Sequence, residues 1–384
     1  MAVKRYLFTP GPTPVPPEVL AALAQPVVHH RGSDFRPVYR ECLERLKELC
    51  RTSSDVLLFT SSGTGAMESA VANLCAPGSR VLVVSAGAFG ERWIEIAERY
   101  GCEVVPLRYE WGEVPQADDV ATALAESNDV RAVLLTHSET STGVVCDLQA
   151  HAEAIRPWGA HVVVDAVSSL GAVPLEMDAW GVDVVCSGSQ KALMTPPGLA
   201  VAAVSEAVWE PEGTLSSPRY YFDWERTRKA QEKLDAPFTP AIPLVAGLNV
   251  ALGLLLEEGL EQVYDRHVRL GRACRAGAKA MGLELFSPDD DTSAVVTAIK
   301  SPPGVDAGEL VSLLRDRFGV QLAKGHGPLG SGVFRIGHVG YYDVFDVATA
   351  LAAVERGLVE VGAAIEQGAA VEHALAAFQG AAPV

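Results

Sequence analysis

Four places along the chain gather residue types that could do chemistry. In Ser187-Gly-Ser-Gln-Lys191 a lysine follows an apolar run and sits among small residues, with Pro196, Pro197 and Gly198 just beyond. Desolvation at a strand end inside an α/β domain lowers a lysine pKa, and a neutral amine can form a Schiff base. In His161-Val-Val-Val-Asp165 an acid closes an apolar strand. Open α/β sheets bind ligands at such strand ends, and a carboxylate there could pair with a protonated pyridine nitrogen. Thr60-Ser-Ser-Gly-Thr-Gly65 lies between an apolar run and a helical stretch. Free N–H groups and the helix dipole make such a turn an anion site. Arg335 interrupts the apolar strand Val333-Phe-Arg-Ile-Gly337. A buried guanidinium is costly unless paired, and its planar fork suits a carboxylate.

Each place also has an ordinary reading. Lys191 fits a surface turn, and Asp165 fits a helix N-cap or an Asx-turn. The hydroxyls of residues 60–65 fit a simple strand-to-helix turn, and Arg335 fits a structural ion pair. The turn at 60–65 lacks the lysine of a Walker loop and does not fit G-x-G-x-x-G.

The elements that must position these groups are visible as alternation. Short apolar runs at 56–59, 81–84, 104–105, 132–135, 162–164, 182–186 and 199–204 are separated by stretches with helical spacing. Runs that are apolar at nearly every position suggest strands covered on both faces, as in a parallel sheet. Helical stretches are expected at 66–74 and at 91–100, where Trp93, Ile94 and Ala97 share one side. The pattern is that of a doubly wound α/β domain. After residue 241 it changes. Helices are expected over 242–258 and 261–281, strands over 294–299 and 333–336, and helices over 307–318 and from 343 onward. The expected division is an arm at 1–20, a large α/β domain at 21–254 and a small C-terminal α+β domain at 255–384. The Pro-rich arm is expected to run extended over a surface. The Ala-rich tail after Gln367 is expected to fray.

Composition narrows the functional classes. The 384 residues carry 31 basic and 48 acidic side chains, a net charge of −17, which argues against broad phosphate-driven nucleic-acid binding. The most apolar stretch, 241–256, contains Pro243 and Asn249 and ends in Glu257-Glu258, so a buried amphipathic helix is expected rather than a membrane span. The first residues show no apolar signal segment. Seven scattered cysteines without a CxxC make a disulfide framework or zinc site unexpected and fit a reducing cytoplasm.

Taken in order and spacing, the motifs are more specific than any one alone. Thr9-Pro-Gly-Pro-Thr-Pro-Val-Pro-Pro17, Thr136-His-Ser-Glu-Thr-Ser-Thr-Gly143, Val164-Asp-Ala-Val-Ser-Ser-Leu-Gly171 and Ser187-Gly-Ser-Gln-Lys191 resemble the class V, fold-type I, pyridoxal-phosphate (PLP) aminotransferases. Within them the chain is most similar to the alanine–glyoxylate and serine–glyoxylate (serine–pyruvate) branch. Asp165 precedes Lys191 by 26 positions, as in that family.

The resemblance implies a set of roles. Lys191 would hold the cofactor as a Schiff base and then shuttle a proton. Asp165 would keep the pyridine nitrogen protonated, so that the ring is an electron sink. Ser62, Gly63 and Thr64 would bind the phosphate, with Gln190 adding a polar contact. Thr140 would meet the ring's phenolic oxygen. Val167 and Phe89 would cover the two ring faces; the branch often has Trp at the Phe89 position. Arg335 would bind the substrate α-carboxylate. Thr239 matches a phosphate contact donated by a neighbouring subunit, which implies a homodimer. No metal is implied.

The function expected is ping-pong transfer of an amino group from serine or alanine to glyoxylate or pyruvate. Aspartate is an alternative donor, for which Arg31 could meet the second carboxylate. A lyase or cysteine desulfurase is the alternative chemistry on the same fold. Against it, Gln190 stands where desulfurases typically have His, and 324–332 holds no Cys. A nicotinamide-dependent dehydrogenase lacks its glycine fingerprint here.

Overall fold

The computed structural model describes residues 4–209 and 217–380. The main sheet has seven strands: β1 (Asp55–Phe59), β2 (Arg80–Ser85), β3 (Glu103–Arg108), β4 (Val130–Thr136), β5 (His161–Asp165), β6 (Val184–Gly188) and β7 (Ala200–Val204). Their spatial order is β1-β7-β6-β5-β4-β2-β3, and only β7 runs antiparallel to its neighbours. The C-terminal ends of the other six therefore lie along one edge.

Successive side chains of a strand point to opposite faces. Leu58, Val133 and Val164 join a core on one face, whereas Leu57, Leu134 and Val163 join a second core on the other. That is why these strands read as unbroken apolar runs. β3 differs, because it is an edge strand: its residues are exposed or half-buried and include Pro106, which an edge tolerates since no ladder N–H is needed there.

Helices α1 (Gly63–Leu74) and α2 (Ala88–Arg99) cover one face. Trp93 of α2 is fully buried and donates from its indole to the Leu135 carbonyl. Helix α3 (Ile242–Glu258) covers the other face with Phe35–Cys50. It is buried, as its sequence suggests, but it is not amphipathic. It packs between Phe35–Cys50 and Pro17–Leu23, so apolar or small residues are needed around most of its circumference.

Helix α4 (Leu260–Ala280) leads into a three-stranded antiparallel sheet of β8 (Val296–Lys300), β9 (Ala323–Lys324) and β10 (Val333–Gly337), with β10 in the middle. Leu270, Ile299, Phe334, Leu351 and Leu358 form its core. The stretch 307–318 is not one regular helix: Ala307–Leu313 is α-helical and Leu314–Phe318 is a π turn closed by Gly319 in the left-handed conformation.

Two expectations about the ends are corrected. The N-terminal segment does not merely cross a surface. Tyr6–Leu7 pairs in parallel with Val320–Gln321, and Phe8 is buried in the C-terminal core. The Ala-rich tail is a helix, α6 (Ala370–Gln379), which packs with α5 (Val344–Glu360) against α4. Its small residues permit the approach: Ala370 and Ala374 are fully buried, and a Cβ on Gly277 of α4 would come within 2.8 Å of the Ala370 carbonyl. The last residues of the tail, 381–384, lie outside the described residues. Among the described residues no single helix is long and apolar enough to cross a membrane.

Candidate active site

One cavity of about 330 Å³ opens where the strand ends of the main sheet meet β9 and β10. Its volume suits a small-molecule site. Ser62, Gly63, Thr64, Phe89, Thr140, Asp165, Val167, Gln190, Lys191 and Arg335 all line it. They follow β1 (62–64), β2 (89), β4 (140), β5 (165, 167) and β6 (190, 191), so the sheet brings together positions far apart in the chain. Thr239 does not line the cavity of its own chain.

Lys191 is buried, and its Nζ donates to Thr140 Oγ1 at 2.9 Å and to Ser168 Oγ at 2.6 Å. Those two hydroxyls are themselves 2.5 Å apart. Burial pulls the ammonium pKa down to about 8, against the opposing pull of Asp165 and Glu139. A much larger fraction of the amine is therefore neutral at pH 7 than for a lysine in water. Gly11 fixes the stem from behind, since a Cβ there would sit 2.9 Å from Lys191 Cε.

Asp165 ends β5 and is almost fully buried. Burial raises its pKa to about 6, although the Val167 N–H at 2.8 Å and Lys191 favour the carboxylate. Among the described residues no cation forms an ion pair with this carboxylate, whose hydrogen bond comes from the Val167 N–H.

Arg335, on the central strand of the small sheet, is buried too. It has no carboxylate partner; instead it donates to the Thr140 carbonyl at 2.7 Å and to the Lys324 carbonyl at 2.8 and 3.2 Å. The structural ion pair is thus absent among the described residues. Carbonyl oxygens fix the guanidinium without neutralising it, and burial lowers its pKa to about 10, with Glu139 opposing.

Helix α1 begins at Gly63 with no side chain capping its first turn, and Thr64 Oγ1 accepts from Arg92 at 3.0 Å. The turn is close-packed: a Cβ on Gly63 would fall 2.6 Å from Val167 Cγ2. Gln190 Oε1 is buried without a hydrogen-bond partner.

Sequence reasoning gave no site role to Arg92 or His326, nor to Ser168, Thr9, Pro10 and Gly11, which it quoted inside motifs; all are at or in the cavity. Glu139 was quoted only inside a motif. Its buried carboxylate accepts from the Phe89 and Gly90 N–H groups and from Ser141, so it holds the start of α2 and with it Phe89. Arg31, the candidate contact for the second carboxylate of the alternative donor aspartate, is paired with Asp235 at 2.9 Å. His137 is buried, and its Nδ1 has no hydrogen-bond partner.

The aminotransferase class-V family model matches residues 5–333. The chain belongs to the class-V aminotransferase family. A serine–glyoxylate aminotransferase of Methylorubrum extorquens is 38% identical over 97% of this chain and 95% of its own. A protein of Anabaena cylindrica named soluble hydrogenase 42 kDa subunit is 44% identical over 94% of both chains. The crystal structure of ureidoglycine–glyoxylate aminotransferase from Bacillus subtilis superposes with a TM-score of 0.93 at 33% identity, covering 99% of each chain.

The cofactor of this class-V aminotransferase is PLP, and the cavity suits it. The cavity offers an aldehyde-reactive amine (Lys191), an under-compensated acid for a pyridinium nitrogen (Asp165) and an uncapped helix start for a phosphate (Ser62–Thr64). The orphaned amide oxygen of Gln190 is a further polar group still lacking a partner.

Proposed function

We propose that this class-V aminotransferase carries an amino group from a small amino acid, serine or alanine, to glyoxylate in two half-reactions of a ping-pong cycle. The names of its relatives point two ways, to aminotransferases and to a hydrogenase subunit. The chain's own site favours the first, because one observation carries it: a buried, partly neutral Lys191 faces the same cavity as an unpaired Asp165 and an uncompensated Arg335.

The site's geometry and the family resemblance together support a division of labour. Arg335 holds the α-carboxylate of donor and acceptor alike, since both halves of the cycle present one. The hydroxyls of Thr140 and Ser168 aim Lys191 Nζ. Its lowered pKa lets that nitrogen take the α-proton as a base and return it as an acid near neutral pH. PLP supplies an electron sink that makes this proton acidic. Asp165 would hold the ring nitrogen's proton, Phe89 and Val167 would cover the ring, Ser62, Gly63 and Thr64 would hold the phosphate, and Gln190 would add a polar contact to the phosphate or ring region. Thr239 completes that phosphate site from a second copy, which makes a homodimer the active unit.

Absorption spectroscopy of the purified protein tests the reading. A yellow protein should bleach with serine or alanine and recover its colour with glyoxylate. Lys191→Ala should lose turnover entirely; a fully active variant overturns the assignment. Release of sulfide from cysteine, with no bleaching by serine or alanine, would favour the desulfurase-like alternative instead.

A further inference from the structure

Among the described residues His326 is the one imidazole on the cavity wall, and no role in the reading above uses it. It stands in the tight segment between β9 and β10, the two strands that fix Arg335. Gly325 N–H donates to the Val333 carbonyl at 2.7 Å, and Leu329 N–H to the His326 carbonyl at 2.9 Å. Gly325 cannot be larger, because a Cβ would collide with the Leu329 carbonyl at 2.2 Å. Arg335 donates to the carbonyl of Lys324, two residues before His326. The carboxylate anchor and the imidazole therefore share one short, rigid wall.

The ring's orientation is set from the other side. Its centroid is 5.9 Å from that of Phe89, with the planes at 83°, an edge-to-face contact. Phe89 in turn has Lys191 Nζ 5.0 Å from its centroid. Among the described residues neither ring nitrogen of His326 makes a hydrogen bond, although the ring is half-buried. Burial and the cations Arg335, Arg92 and Lys191 push its pKa down to about 4, so the imidazole is neutral at pH 7. A neutral imidazole offers one donor and one acceptor. That matches a hydroxyl, which needs both, and brings no charge for a second carboxylate. Arg31 is paired with Asp235, and Arg92 donates to the Thr64 hydroxyl with its guanidinium 4.7 Å from the Phe89 ring centroid.

We propose that His326 recognises the side-chain hydroxyl of the amino donor, so that a hydroxylated small amino acid such as serine is preferred to alanine and to aspartate. The inference rests on the small-amino-acid reading given above and names the donor within it.

The holoenzyme is titrated with L-serine, L-alanine and L-aspartate, following the cofactor absorbance and then kcat/KM with glyoxylate. The variants are His326→Ala and His326→Gln. One lost hydrogen bond is worth up to about tenfold. The serine-to-alanine ratio of kcat/KM should therefore fall about tenfold in His326→Ala and return most of the way in His326→Gln, which keeps a donor and an acceptor. A ratio that does not move, a Gln variant no better than Ala, or a larger loss for aspartate than for serine overturns the proposal while leaving the transaminase reading intact. A wild-type cofactor spectrum that responds to neither serine nor alanine overturns both.

Discussion

Lys191 and Asp165 are buried in the ionic forms that burial most penalises, and this is the source of their reactivity. The Asp165 pKa of about 6 lies above its unfolded value of about 4. The native apoprotein thus binds this proton more tightly than the unfolded chain does, and loses stability as pH rises from about 4 to 6. Over that window the loss is about 3 kcal/mol for this group. Asp165→Asn should therefore stabilise the apoprotein relative to wild type, more at pH 6.5 than at pH 4.5, while impairing transamination. Urea denaturation of both apoproteins at the two pH values checks it; an equal difference at both rejects it. Lys191 gives a second expectation. Its pKa of about 8 means that the reactive neutral amine grows as pH rises toward 9. The rate of PLP uptake by the apoprotein, read by absorbance, should increase several-fold from pH 7 to 9.

At the scale of elements, close approach replaces side-chain chemistry. Helix α1 can present its first turn to the cavity only because Gly63 has no side chain to strike Val167. Gly63→Val should lower cofactor affinity at least tenfold and destabilise the apoprotein by about 1–3 kcal/mol through overpacking. Fluorescence titration with PLP and chemical denaturation measure the two effects separately. Helix α6 makes the same point at the opposite end of the chain. Ala374 is fully buried where α6 packs on α4 and α5. Ala374→Asp places an unpaired charge there and should cost about 2–4 kcal/mol, seen as a lowered Tm. An unchanged Tm would mean that α6 is dispensable to the fold.

Across the whole molecule, the site is assembled from both ends of the chain. Thr9, Pro10 and Gly11 wall the cavity, Thr13 donates from its hydroxyl to the Lys191 carbonyl, and Tyr6–Leu7 ties this segment to Val320–Gln321. Removing residues 1–12 should leave the main sheet folded, with far-UV circular dichroism near that of the full chain, yet raise KM at least tenfold because one wall is gone. The proposed homodimer belongs to this scale as well. Thr239 stands outside its own chain's cavity, so Thr239→Val should weaken PLP binding only if a second copy supplies it. Sedimentation of the holoenzyme at decreasing concentration, with bound PLP followed by absorbance, should show dimer and cofactor lost together.

The sequence by itself determined the sheet and its chemical endpoints. Doubly covered parallel strands must be apolar on both faces, so β2, β4 and β5 are legible as unbroken runs and β6 as one interrupted by Asp183, and Asp165 and Lys191 are legible as polar residues at or just after the ends of two of those runs. The family motifs then named ten residues that the fold gathers into one cavity. Tertiary structure alone decided the remainder. Ser168, Arg92 and His326 carry no local signal, because a serine after a strand, an arginine on an amphipathic helix and a histidine in a glycine-rich turn are each ordinary in isolation. Ser168 meets Lys191 and Arg92 meets Thr64 at the strand ends of the main sheet, and His326 arrives with β9 and β10 over them. The tail was misread for a related reason: an alanine-rich stretch lacks the periodic contrast that marks a surface helix, and only its packing partners decide whether it is buried. Arg335 shows the limit most clearly. Its strand is visible in the sequence, but that its partners are carbonyls rather than a carboxylate, leaving its charge free for a ligand, depends on Thr140 and Lys324 arriving from distant parts of the fold.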